Sequence, residues 1–218
     1  MESVLRYSTP YSEPWVAWLM VLLLILLLMA DHFQRGLIID SFRSLTAAKE
    51  RESLFSETTK TTAGIITLFI YKVLITSLTL YAVIVTGGFS FVRFLLVVLL
   101  VLALTAVKYI TMWLTSYIFL NRDTFSLMVM HYGNLSSVVC ILLYPVLLLV
   151  LFAPFVTHTV ALAMVLAVAA FALVIWFIKA FGLFFTNFLA GFYIFLYLCT
   201  LELIPFAALV YAVGKLVL

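Results

Sequence analysis

The stretch FVRFLLVVLLVLALTAVKYITMWLTSYIF, Phe91 to Phe119, is apolar over nearly its whole length and carries only Arg93 and Lys108 as charges. Crossing a hydrocarbon core of about 30 Å takes roughly 20 helical residues, so this stretch suffices with residues to spare. A membrane β-barrel would show short alternating strands between turn signals, and here the apolar run is continuous. Backbone polar groups in lipid must bond within their own segment, which makes such a run a helix. Working outward, comparable runs recur at Trp15 to Ala30, Gly64 to Thr86, Leu135 to Phe152, His158 to Ile178 and Gly191 to Val213. Together they predict an all-α fold, a polytopic transmembrane helical bundle of about six spans, as a single integral membrane domain over 1–218.

Composition agrees. Hydrophobic residues are 67% of the chain, charged residues 10%, and mean hydropathy is +1.30, far from the balance of a soluble domain. The first run follows Glu13-Pro14 and has neither a basic leader nor a small-residue cleavage pattern, so it reads as a retained helix. Cys140 and Cys199 both fall inside expected spans, where a thiol acts as a small apolar filler. A net charge of +3 spread around the membrane ends points away from nucleic acid.

With six spans, Arg35, Arg43, Lys49, Arg51, Lys60, Arg122 and Lys179 share one side, and Arg6, Arg93 and Lys215 the other. The positive-inside rule makes the first side cytoplasmic and both termini periplasmic, with Trp15 and Trp18 in the outer interfacial belt. The longest polar segment, Asp31 to Ala63, places Ile38, Ser41, Phe42, Leu45 and Ala48 on one stripe. This predicts an amphipathic helix on the cytoplasmic face, either a solvated connector or a docking surface. A second short interfacial helix is expected within Asn121 to Asn134, capped by Asn121 or Asp123. The outer loops, Gly87 to Ser90 and Ala153 to Thr157, are too short to hold a soluble domain.

Within the spans, Glu202 is the one carboxylate, and Pro205 follows it. A charge at the centre of a span costs on the order of 2.5 to 3.5 kcal/mol, so Glu202 should face protein, water or a cation. Lys72 and Lys108 are its natural partners. Lys72 shares a helical face with Thr76 and Thr79, and Lys108 shares one with Thr105, Thr111 and Thr115. The two faces are expected to zip the second and third spans together about a turn at Gly87-Gly88. Counted at 1.5 Å per residue, Lys72, Lys108 and Glu202 all fall about 15 to 20 Å from the cytoplasmic ends. Pro205 cannot donate to the carbonyl of Leu201, which leaves an acceptor beside the carboxylate. This cluster of Glu202, Lys72, Lys108, Pro205, Thr76 and Thr105 has two readings: a buried ion pair that fixes helix neighbours, or a relay or polar substrate site.

Other chemistry is thin. The sequence has no His-x-x-x-His pair, no phosphate-binding glycine loop and no Ser/His/Asp set at shared depth, so no enzyme, metal or cofactor is expected. The aromatic series Phe181, Phe184, Phe185, Phe188, Phe192, Tyr193, Phe195 and Tyr197 covers every angle of a helix, which suits a lipid-facing surface or a dock for another membrane protein.

The last span, Phe192-Tyr193-Ile194-Phe195-Leu196-Tyr197-Leu198-Cys199-Thr200-Leu201-Glu202-Leu203-Ile204-Pro205, carries the pattern Leu-Tyr-Leu-Cys-x-Leu-Glu-x-x-Pro. It resembles the closing segment of an uncharacterised multi-pass inner-membrane family of Bacteroidetes, a domain of unknown function. The resemblance implies a bacterial inner membrane and marks Glu202 and Pro205 as motif positions. The expectation is therefore a non-catalytic subunit of an inner-membrane assembly, partnered by lipid and other integral membrane proteins, in protein export or insertion. The alternative is a small proton-coupled transporter with Glu202 as its titrating group.

Overall fold

The computed structural model describes residues 14–33, 62–84, 90–119, 122–153 and 158–184. These form α1 (Pro14–Phe33), α2 (Thr62–Ile84), α3 (Phe91–Phe119), α4 (Arg122–Phe152) and α5 (His158–Phe184), with no strand among the described residues. Four helices carry stretches long and apolar enough to cross a membrane: Pro14–Phe33, Thr62–Val83, Phe91–Ile110 and Tyr132–Phe152. Helix α5, 27 residues long, is apolar throughout Thr159–Ile175, the part of it whose side chains are described in one run. The expected sixth span, the amphipathic stripe of the first polar segment and the Gly87-Gly88 turn lie outside the described residues.

One boundary differs from expectation. The segment Asn121 to Asn134 does not form a separate interfacial helix, because α4 runs unbroken from Arg122 to Phe152. Gly133 costs a helix interior only about 1 kcal/mol relative to Ala, too little to end a helix that continues on both sides. Pro145 also sits inside α4 without ending it. Neighbouring helices and side chains in a bundle can re-satisfy the backbone groups a proline frees.

Helix α2 is the hub and packs against α1, α3, α4 and α5. Lipid tails are as apolar as leucine side chains, so close packing and polar contacts, not hydrophobicity, select helix neighbours. Tyr71, Ile75, Leu78 and Tyr81 of α2 are fully buried, and the hydroxyl-bearing Ser77 and Thr79 are buried with them. Helix α1 meets α2 through Val16, Met20, Leu23, Leu27 and Ala30, whose spacing alternates four and three. This is a seam of the coiled-coil kind. Helix α5 joins through Ala161, packed with Val150 and beside Ala82 and Met164.

An aromatic clasp closes one end of the bundle. The Trp15 ring lies 5.8 Å from Phe91, 5.5 Å from Phe94 and 6.5 Å from Tyr81, centroid to centroid. The Tyr81 hydroxyl donates to the Ser90 carbonyl (3.2 Å) and accepts from the Ser90 amide (2.7 Å). The start of α1, the end of α2 and the start of α3 are thereby tied together.

Candidate functional site

From the middle of α2, polar side chains reach across to α4. Lys72 donates from Nζ to the carbonyl of Gly133 at 2.9 Å, and Ser137 Oγ donates to the same carbonyl at 2.9 Å. About two turns further along α4, the buried Tyr71 hydroxyl donates to the carbonyl of Cys140 at 3.1 Å. Cys140 is itself buried in the core cluster. Helix α3 contributes Lys108, whose Nζ stands 4.2 Å above the centroid of the Tyr132 ring.

Two lysines on different helices therefore end on consecutive residues of α4, Tyr132 and Gly133. Tyr132 and Gly133 lie in the first half of α4, the half that carries Arg122 and Asp123. The Lys72 backbone lies mid-helix in α2, and its long stem carries the charge across to α4. Gly133 leaves open space, since a Cβ built there would meet nothing within 4 Å.

Two of the hydroxyls expected to zip the second and third spans, Thr79 and Thr105, bond within their own helices. Thr105 Oγ1 donates to Val101 O within its own helix at 2.7 Å. Ser77 and Thr79 bond back to Val73 and Ile75, each at 2.7 Å. A carbonyl four residues back is always in reach of a helical hydroxyl, whereas a partner across a helix interface must arrive at matching depth. Tyr71 and Lys72 of α2 bond to α4, and Lys108 reaches α4 as well.

Of the cluster read from the sequence, Lys72 and Lys108 each reach α4, Thr105 bonds within its own helix, and Thr76 lies one turn from Lys72 on α2. Glu202 and Pro205 lie outside the described residues, as do the side chains of His131, Thr111 and Thr115. Among the described residues no group of three or more His, Cys, Asp or Glu is placed to hold a metal. Tyr71, Tyr132, Gly133 and Cys140 carry much of the geometry without having been singled out for it. For Tyr71, its place beside Lys72 on a span was a usable signal.

A family model described as a domain of unknown function, DUF4271, matches residues 16–213. This chain belongs to the DUF4271 family. No curated relative and no solved structure matches it. The DUF4271 match encloses all five described helices except the first residues of α1, and so takes in the whole α2–α4 seam. Chemically that seam can hold helices in register.

Proposed function

We propose that this protein is a non-catalytic structural subunit of a multi-protein assembly in a bacterial inner membrane, serving protein export or membrane-protein insertion, with both termini periplasmic. The observation that carries the reading is the engagement of the intramembrane polar side chains. Lys72 and Tyr71 donate to carbonyls of α4, and Lys108 lies over an α4 ring, so each links helices. A transport pathway would gain more from polar groups turned toward a water-filled cavity. Supporting it further is the broad apolar surface of α3 and α5, which suits lipid and other membrane helices. The inner-membrane placement and the orientation rest on the closing-segment resemblance and on the lysine and arginine asymmetry of the loops.

The test is purification of the tagged full chain from its native membrane in mild detergent, with quantitative mass spectrometry. The reading expects one or more integral membrane proteins at fixed stoichiometry, retained through size exclusion. A chain that elutes alone, and that moves a proton-coupled solute in vesicles, would replace this reading with the transporter.

A further inference from the structure

We infer that two rims on this bundle bound the hydrocarbon layer of a phospholipid bilayer: Trp18 with Phe91 and Arg93 at one, Tyr109 and Trp113 with Lys108 at the other. The inference rests on the membrane-spanning part of the proposed function and is independent of the assembly.

Helix α3 supplies the ruler. From Arg93 at the first rim to Trp113 at the second is 20 residues of continuous helix. At 1.5 Å per residue that is about 30 Å, the thickness of a hydrocarbon core. Between the rims the exposed side chains are aliphatic: Leu95, Leu96, Leu99, Leu102 and Val107. At the first rim Phe91 is 58% exposed and Arg93 is exposed in the opening turn. The ring contacts of Trp15 with Phe91 and Phe94 bring the start of α1 to this level, and Trp18, 75% exposed, follows one turn inward.

At the second rim Trp113 is 65% and Tyr109 50% exposed, both in the last turns of α3. Lys108 at this level meets the ring of Tyr132 in α4. An indole or phenol exposed at such a level places its ring among acyl ends and its N–H or O–H among headgroups. Arg and Lys there can reach phosphate oxygens.

Full-length chains that keep one tryptophan, with Trp15, Trp18, Trp113 and Trp176 otherwise replaced by Phe, test this in phosphatidylcholine vesicles. Some vesicles carry lipid brominated near the headgroup, others lipid brominated near the midplane. The inference expects Trp18 and Trp113 to be quenched at least twofold more by shallow bromine, and a Leu102→Trp reporter to show the reverse order. Stronger quenching of Trp18 or Trp113 by deep bromine would overturn the rims while leaving a membrane protein. No bromine quenching at any of the three sites would overturn the membrane-spanning reading as well. Should the tryptophan-depleted chains lose helicity, 5-fluorotryptophan in the unaltered chain with shallow or deep spin-labelled lipid reads the same order. Broadening of the Trp18 and Trp113 fluorine signals chiefly by the deep label would then be the overturning result.

Discussion

Lys72 shows how a side chain can make a charge tolerable in an apolar run. Its backbone lies mid-helix in α2, where an ammonium costs about 2.5 to 3.5 kcal/mol, yet its Nζ ends on the Gly133 carbonyl at 2.9 Å. The sequence located both lysines but not their acceptors, because a backbone carbonyl leaves no mark on residue identity. Helical periodicity likewise placed Thr105 and Thr79 on faces without revealing that their hydroxyls bond back within the helix. Three substitutions follow at this scale. Tyr71→Phe removes one donor from the Cys140 carbonyl and should cost about 1 kcal/mol, read as a lower unfolding temperature in detergent. Lys108→Met removes the cation over Tyr132 and should cost about 0.5 to 2 kcal/mol unless relief of the buried charge offsets it. Gly133→Ala meets open space and gains helix propensity, so it should be neutral or stabilising by up to about 1 kcal/mol. Loss of stability there would mean that another surface approaches Gly133.

Among the elements, the apolar runs foretold α1, α2 and α3 nearly to their described ends, since nothing but a helix satisfies a backbone in lipid. For α4 a helix start at Asn121 or Asp123 was legible but its continuity was not: His131-Tyr132-Gly133-Asn134 has the composition of a connector, yet the helix runs through it to Phe152. Packing at this scale makes a sharp contrast between adjacent leucines of α1. Leu23 is fully buried against the core cluster and Leu24 is 40% exposed. Leu23→Ala should cost about 2 to 4 kcal/mol of stability in detergent, and Leu24→Ala less than about 0.5 kcal/mol. At the clasp, Tyr81→Phe loses both hydrogen bonds to Ser90 and should cost about 1 to 2 kcal/mol. Limited proteolysis between α2 and α3 should speed up in that variant, and unchanged cleavage would show that the Trp15, Phe91 and Phe94 rings hold the hairpin without it.

Across the whole molecule, composition was enough to announce a membrane bundle, but the choice of α2 as its hub was not legible. Every apolar face looks equivalent to lipid, so neighbours are selected by contacts such as Tyr71 to Cys140 and Tyr144 to Met20. The account's central claim is that the polar interior holds helices together rather than moving protons. Glu202, the one carboxylate within an apolar run, is the residue on which the two ideas part. The decisive measurement is a cycle of Glu202→Gln, alone and combined with Lys72→Met or Lys108→Met, read by unfolding temperature, partner retention and proton flux in vesicles. The account predicts that Glu202→Gln lowers stability or releases partners and that removing a lysine partly restores them. Intact stability and partners with a proton flux abolished by Glu202→Gln, and no rescue by either lysine change, would contradict it.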